Sequence, residues 1–241
     1  MKEETKKSAT VEDVKINVSE MLSSGLGVGH TVSRLHPKMK MYVSGVKNNT
    51  NVIDLEKTAK SFSSALKFIS NLISDNKKII FVGTKIQVKE LIKQAADDCG
   101  VPYVTERWLG GTFTNFETIS KRIEYFKSME SKKASGELEK YTKKERLKID
   151  KKIESLRVKF EGIKNMSKLP DAVFISDLKK DIICAREAKI KGIFIVAITD
   201  TNVDPTIADY PIPANDDAMS SVKYILDKVS ETVKNAKSSS V

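Results

Sequence analysis

Three short, nearly uninterrupted apolar runs constrain the fold of this chain most. They span residues 78–82, 172–176 and 193–198. A strand of a parallel sheet is covered on both faces, so it is apolar along its length instead of alternating with polar residues. Strands of this kind that alternate with helices form a parallel sheet with helices on both sides. The sequence therefore predicts an α/β fold with three layers.

Helix signals separate these strands. The predicted helices begin at Asp54, at the capping-box pair Thr84 and Gln87, at Lys179 and at Asn215, and the second and third end at Gly100 and Gly192. Two further short strands are predicted near residues 103–105 and 210–212. The alternation favours a flavodoxin-like or Rossmann-like parallel sheet.

The segment 115–164 interrupts the alternation and is predicted to be an inserted antiparallel helical hairpin. Its first helix runs over 115–130, its tip over 131–141, and Thr142 with Glu145 forms a second capping box. The apolar residues of the return helix follow steps of four and three, a heptad pattern typical of a coiled coil: Ile149, Ile153, Leu156, Phe160 and Ile163. The remaining predicted units are a disordered arm over 1–17, an α/β domain over 18–114 and 165–234, and a flexible tail over 235–241.

Charge is segregated along the chain. The formal net charge is +10. Residues 121–168 hold 16 Lys and Arg against 8 Asp and Glu, residues 21–53 contain no carboxylate, and residues 192–222 contain five Asp and no Lys or Arg. A basic surface favours an anionic partner. Because only 6 of the 42 basic residues are Arg, we expect contacts that position a phosphate backbone more than they read bases.

Two glycine motifs resemble nucleotide-binding loops only in part. Gly25, Gly27 and Gly29 have the wrong spacing for a dinucleotide fingerprint, and no apolar strand precedes them. We predict a flexible loop there. Gly83, Thr84 and Lys85 lack the upstream glycine of a P-loop, which leaves either a helix start that holds one phosphate or a simple capped turn.

Acidic and metal-ligating residues offer a weaker enzyme-like alternative. The acidic candidates for a magnesium site follow predicted strands: Asp200, Asn202, Asp204, Asn215, Asp216 and Asp217. Turn and cap chemistry explains the same residues, and no nucleophile and base accompany them. His30, His36, Cys99 and Cys184 match no compact ligand spacing. We therefore predict no catalytic residue, no metal site and no cofactor.

The segment from Arg107 to Phe116, which we call the signature segment, contains the single Trp and two adjacent glycines before a basic helix. It closely resembles the signature of the bacterial and organellar ribosomal small-subunit protein two family. Further blocks that match this family in order begin at Gly29, His36, Val52, Ile80, Leu169, Asp200 and Ile212. Together these blocks extend over roughly residues 18 to 229.

The resemblance implies a structural constituent of the small ribosomal subunit. Such a protein binds ribosomal RNA and neighbouring small-subunit proteins, including the large protein one in bacteria, and sits as a monomer at the junction of head and body. A cytoplasmic ribosome is expected, and an organellar ribosome stays open. No apolar run approaches the ~18 residues of a membrane span, so no membrane partner is expected.

The predicted RNA contacts lie in the N-terminal segment, in the body and on the hairpin. They are His30, Arg34, Lys38, Lys40, Lys47, Asn48, Asn49, Lys85, Arg107, Trp108, Asn115, Lys121, Arg122, Lys143, Lys144 and Arg146. For Trp108, a core anchor is the alternative to a base-stacking surface. Two rival functions remain: an α/β enzyme acting on a nucleotide or sugar phosphate, and an adaptor that docks a basic partner on the acidic segment 192–222.

Overall fold

The computed structural model describes residues 16–238, which form strands and helices in alternation. The strands are Val28–Thr31 (β1), Val43–Lys47 (β2), Thr50–Ile53 (β3), Ile79–Val82 (β4), Tyr103–Val104 (β5), Ala172–Ile175 (β6), Phe194–Thr199 (β7) and Tyr210–Pro213 (β8). The α-helices are Val18–Ser23 (α1), Leu55–Ser74 (α2), Lys89–Cys99 (α3), Phe116–Ala134 (α4), Lys143–Phe160 (α5), Ile182–Lys191 (α6) and Met219–Ser238 (α7).

The central sheet has five parallel strands in the order β5-β4-β6-β7-β8. Numbered within this sheet, the order is 2-1-3-4-5, that of flavodoxin-like folds. The direction of winding reverses between β4 and β6. This confirms the predicted parallel α/β fold and places the carboxyl ends of β4, β6, β7 and β8 along one edge.

The two faces of this sheet carry separate cores because successive side chains of a strand point to opposite sides. Ile79 and Phe81 join the core under α2, α3 and α7. Ile80 and Val82 join the core under α4, α5 and α6. The predicted three layers are therefore present, and these four β4 side chains are fully buried because both faces are covered.

Helix α2 shows how local sequence sets a boundary. The Asp54 carboxylate accepts hydrogen bonds from the amides of Glu56 at 3.1 Å and Lys57 at 3.3 Å, which satisfies two donors of the first turn. Phe62 and Ile69 are fully buried on its apolar face, and each side chain of this size stabilises the fold by about 1.5–3 kcal/mol. The predicted helix start at Asp54 is confirmed.

The predicted capping box of Thr84 and Gln87 is wrong. Helix α3 begins at Lys89, after a turn. Thr84 instead bonds to Asp181, through its amide at 3.2 Å and its hydroxyl at 2.9 Å. The predicted end is confirmed, because Gly100 closes α3 with a φ of +60°, a conformation that glycine adopts without strain.

The insertion forms two antiparallel helices. Glu130 of α4 pairs with Arg157 of α5 at 3.0 Å, and Lys133 pairs with Asp150 at 2.6 Å, so positions advance on one helix as they recede on the other. The capping box that begins α5 at Thr142 is present. Helix α4 extends to Ala134, beyond the predicted end at 130, and heptad coiled-coil packing stays a prediction.

The root of the hairpin is not a separate core. Ile123 and Phe126 of α4 and Ile153 and Phe160 of α5 are buried in the same cluster as Ile80 and other residues of the central sheet. The hairpin is therefore continuous with the second face of the sheet.

A second sheet, β1-β3-β2, is antiparallel and has no counterpart among the predicted strands. Asn48 and Asn49 join β2 to β3 with φ values of +48° and +59°, as a two-residue hairpin turn requires. The flexible loop predicted around Gly29 is wrong, because this residue lies in β1. A Cβ on Gly29 would lie 2.6 Å from the Thr201 side chain, so the glycine permits close packing.

The chain termini differ in part from prediction. Helix α7 continues to Ser238, with Ala236 fully buried and Lys237 Nζ donating to the Cys99 carbonyl at 2.6 Å, so residues 235–238 are helical and not a flexible tail. Ile16 packs against the first core, and Asn17 caps α1. The rest of the predicted arm (1–15) and tail (239–241) lies outside the described residues.

Candidate nucleic-acid interface

The signature segment wraps around one buried carboxylate, that of Glu187 on α6. Glu187 Oε1 accepts from the Gly111 amide at 2.7 Å and from the Trp108 indole N–H at 3.3 Å. Its Oε2 accepts from the amides of Phe113 at 2.9 Å and Thr114 at 3.2 Å. Four N–H donors thus satisfy this charge, as burial requires, and they hold the segment against α6.

Trp108 is a core anchor. Its side chain is 6% exposed, its ring meets Phe113 edge-on with centroids 4.7 Å apart, and its N–H is committed to Glu187. No ring face remains for a base, so Trp108 leaves the predicted set of RNA contacts. The core alternative explains why a Trp stands in this segment.

Charged side chains meet where the parallel strands end, and we call this group the carboxyl-edge cluster: His30, Lys85, Asp177, Asp200, Asp216 and Asp217. Lys85 Nζ lies 2.6 Å from the carboxylate of Asp217 and 3.0 Å from that of Asp216. It lies 3.3 Å from Asp177, which follows β6. In flavodoxin-like folds the switch point between such strands is where ligands bind; here an internal cation lies beside it.

The surroundings of Lys85 shift two pKa values in the same direction. Burial alone would lower the pKa of Lys85, but its bond to Asp217 and the charges of Asp216 and Asp177 outweigh burial and raise it. Burial, followed by the charges of Asp177 and Asp200, raises the pKa of Asp216 to about 7. Lys85 therefore stays charged and neutralises its own protein, so it too leaves the RNA set.

His30 joins the small sheet to the cluster. Its Nδ1 lies 3.0 Å from Asp200, and its Nε2 lies 3.5 Å from Asp217. The hydrogen bond with Asp200 raises the pKa of His30 against the opposing effect of burial. The backbone amide of His30 also donates to the Thr201 hydroxyl at 2.9 Å. This side chain is thus engaged within the protein.

The predicted phosphate position at Gly83–Lys85 is occupied by the protein itself. Thr84 bonds to Asp181, whose pKa is raised mainly by burial. Lys180 Nζ donates to the Thr84 carbonyl at 2.9 Å. Lys85 is held by carboxylates and Thr84 bonds to Asp181 without capping α3, so this loop matches neither the anion site nor the turn capped by Thr84.

The remaining acidic residues act in turns and caps. Asp204 accepts from the Thr206 amide at 2.9 Å, and Lys38 Nζ lies 2.7 Å from its carboxylate. These contacts, that of Lys38 first, lower the pKa of Asp204. Asn215 accepts from the amides of Asp217 and Ala218 in the turn ahead of α7; because α7 begins at Met219, the predicted helix cap at Asn215 is wrong.

Most of the predicted contacts that remain are on the surface. The exposed ones are Arg34, Lys38, Lys40, Lys47, Asn48, Asn49, Arg107, Asn115, Lys121, Arg122, Lys143, Lys144 and Arg146. They fall into two groups, one on the small sheet and the turns beside it, and one from the signature segment along the hairpin. Their contact with RNA stays a prediction.

Sequence reasoning missed Glu187, Asp177 and Asp181. Glu187 lies on the buried face of α6, three residues after the buried Cys184. A carboxylate at a position predicted to face the core could have indicated a buried polar contact. Asp177 and Asp181 follow a buried strand, but Lys85 and Thr84, which they contact, are distant in sequence. Such long-range pairs leave no local pattern.

Within residues 16–238, no group of three or more His, Cys, Asp or Glu side chains is arranged to hold a metal ion. No helix in the same range is long and apolar enough to cross a membrane. Cys99 and Cys184 are buried free thiols, and burial raises the pKa of each.

Comparison with known proteins decides the family. The sequence matches the family model for Ribosomal protein S2 over residues 21–236. The chain belongs to the ribosomal protein S2 family. Small ribosomal subunit protein uS2 of Roseiflexus sp. (strain RS-1) is 43% identical over 216 residues, which cover 90% of this chain and 82% of that protein. The uS2 protein of Dehalococcoides mccartyi is 41% identical over 217 residues, covering 90% and 89%.

The S2 family is structural and non-enzymatic, and this agrees with the site geometry. In this S2-family chain the carboxyl-edge cluster and the buried Trp108 and Phe113 of the signature segment are held by contacts within the protein. The rival interpretation as an enzyme acting on a nucleotide or sugar phosphate is thereby excluded. The cations left at the surface are those that a partner can reach.

Proposed function

We propose that this chain, a structural constituent of the small ribosomal subunit by its family, binds small-subunit ribosomal RNA through the hairpin and the small N-terminal sheet. One observation carries the proposal: the tip-side cations Lys143, Lys144 and Arg146 are exposed and form no ion pair with any side chain that the structure describes. Nearer the root, by contrast, Arg157 and Lys164 pair with Glu130.

The contacts are multivalent. Each exposed Lys or Arg that neutralises a phosphate releases counterions, so affinity falls steeply as salt rises. The rigid three-layer body sets the spacing between the hairpin group and the small-sheet group. An RNA that contacts both groups at once binds more tightly than one that contacts either group alone.

The acidic-adaptor alternative loses its support. Asp200 pairs with His30, Asp204 with Lys38, and Asp216 and Asp217 with Lys85. The fifth Asp of the segment, Asp209, accepts from the Ile195 amide at 2.8 Å. Neighbouring small-subunit proteins, including protein one in bacteria, remain proposed partners through other surfaces, on a cytoplasmic or an organellar ribosome.

The test is incorporation of a charge-reversed chain into small subunits. A tagged K143E/K144E/R146E variant should fail to co-sediment with small subunits at moderate salt. Its residual affinity for small-subunit RNA should show a log–log salt slope smaller by about three, about one for each phosphate contact. Its circular dichroism and melting should match those of the unchanged protein.

The matched control reverses three exposed lysines on the opposite sheet face, K60E/K93E/K223E. It changes net charge equally but should leave incorporation intact. An equal loss of incorporation in the two triple variants would show that net charge, and not the hairpin, governs binding.

A further inference from the structure

A groove lies where the signature segment meets the root of the hairpin. It encloses about 390 Å³. Its walls come from the glycine pair, the first turns of α4 and the last turns of α5. Carboxylates are absent from this lining.

Two cations stand on the groove. Arg122 and Lys159 are exposed, and neither forms an ion pair with a side chain that the structure describes. Their neighbours behave differently: Lys121 lies 2.7 Å from Glu117, and Arg157 pairs with Glu130. The groove therefore keeps its positive charge for an anion outside the protein.

The floor is apolar and the rim is open. Ile119 and Phe160 form a buried base, with Leu109 and Leu156 half-buried beside them. Gly110 is exposed, and a Cβ at this position would meet nothing within 4 Å. A flat apolar group can thus approach the backbone closely in the groove that the two cations line.

We propose that this groove binds a single unstacked nucleotide of single-stranded RNA, with its phosphate on Arg122 and Lys159 and its base on the apolar floor. The size favours this occupant. The groove's volume of about 390 Å³ lies within the range of about 300–1,000 Å³ that sites for small molecules enclose. Unpaired nucleotides splayed from loops are the usual targets of specific RNA recognition. The inference rests on the RNA-binding function proposed above and names one of its subsites.

The test separates charge from shape in the full chain. Fluorescence anisotropy follows binding of a labelled oligouridylate, a blunt RNA duplex of equal length and an oligoglutamate peptide. Gly110→Leu adds a bulky side chain to the lining of the groove without changing charge and should weaken the oligouridylate about tenfold, the loss expected for one base and its phosphate. Duplex binding should change by less than about twofold, because paired bases cannot enter.

Two controls are built into the chain. Ser64 is an exposed residue of α2 on the opposite sheet face, so Ser64→Leu, which adds the same side chain there, should leave oligouridylate binding unchanged. R122E/K159E should weaken the oligouridylate more than K127E/K151E, which reverses two exposed lysines of the same helices outside the groove.

Other outcomes overturn the inference. Equal losses for G110L and S64L, or for both double reversals, would mean that the groove is not a subsite. Tighter binding of oligoglutamate than of oligouridylate, blocked by G110L, would make it a peptide site. G110L leaves the tip cations in place. If the unchanged chain co-sediments normally and G110L binds RNA as well as the unchanged chain does, only the subsite is rejected. Failure of the unchanged chain to co-sediment rejects the proposed function.

Discussion

The carboxyl-edge cluster and the hairpin both concentrate charge, but they use it differently. At the cluster, Lys85 and His30 point inward to carboxylates that follow strands of the central sheet. On the hairpin, Lys143, Lys144 and Arg146 point to solvent. The comparison teaches that the fold decides which cations a partner can reach. A basic residue beside strand ends is neutralised because the topology gathers carboxylates there, whereas a helix that projects from the body has few such neighbours.

The largest test of the inward use of charge is Glu187→Ala. This change leaves the donors of Trp108, Gly111 and Phe113 without their acceptor, so we expect the free energy of unfolding to fall by about 3 kcal/mol. Urea denaturation measures the loss. The exposed Glu124 on α4 is the matched control, and E124A should change stability by less than about 0.5 kcal/mol. Equal effects would mean that Glu187 does not organise the segment.

Lys85→Met sharpens the comparison between an inward and an outward lysine. It leaves the buried Asp216 and Asp177 without their cation and should lower the free energy of unfolding by about 2 kcal/mol, reduced from a fully buried case because Lys85 keeps some exposure. Lys121→Met breaks a solvent-exposed pair with Glu117 and should change it by about 0.3 kcal/mol. A neutral Lys85→Met would show that the cluster does not depend on its ammonium.

Thr142→Ala tests the hairpin itself. Loss of the hydroxyl that accepts from the Glu145 amide should destabilise the start of α5 by about 1 kcal/mol. Hydrogen exchange should speed up in the first turn of α5 and stay unchanged in the central sheet. Thr142→Ser keeps the oxygen and should restore protection; an equal effect of both variants would point away from the cap.

The smallest effect concerns pH at the cluster. The folded protein holds the His30 proton more tightly than the unfolded chain, so its stabilisation is complete below the ordinary pKa of 6.5 and is lost as pH rises through the raised value. Asp216, with its pKa raised to about 7, also makes stability fall as pH rises. We expect the melting temperature to fall from about pH 4 upward, first through Asp216 and above about pH 6.5 also through His30, and above about pH 6.5 to fall less in His30→Gln. Identical falls would assign the dependence to Asp216 alone.

What could be predicted from the sequence follows a physical division. The apolar strands, the cap at Asp54 and the capping box at Thr142 are set by residues within a few positions of each other, and all are confirmed. The sequence favours a local partner for Thr84, but Asp181, which bonds to it, lies 97 residues away. The inward orientation of Lys85 has the same origin.

The small N-terminal sheet escaped prediction for a different reason. Its strands are short, and the polar pair Asn48 and Asn49 fits an RNA contact as readily as a turn. An Asn pair between two extended runs is nevertheless a hairpin-turn signal. Glu187 was missed because the end signals of α6 say nothing about a carboxylate on its buried face.

The shared core at the base of the hairpin has a mechanical consequence. Helix α5, with 18 residues, is about 27 Å long at 1.5 Å per residue. Because Phe126 and Phe160 are packed into the same apolar layer as the sheet, this projection cannot swivel without opening that layer. The hairpin and the small N-terminal sheet are therefore held at a fixed separation, and a partner that contacts both must match that distance.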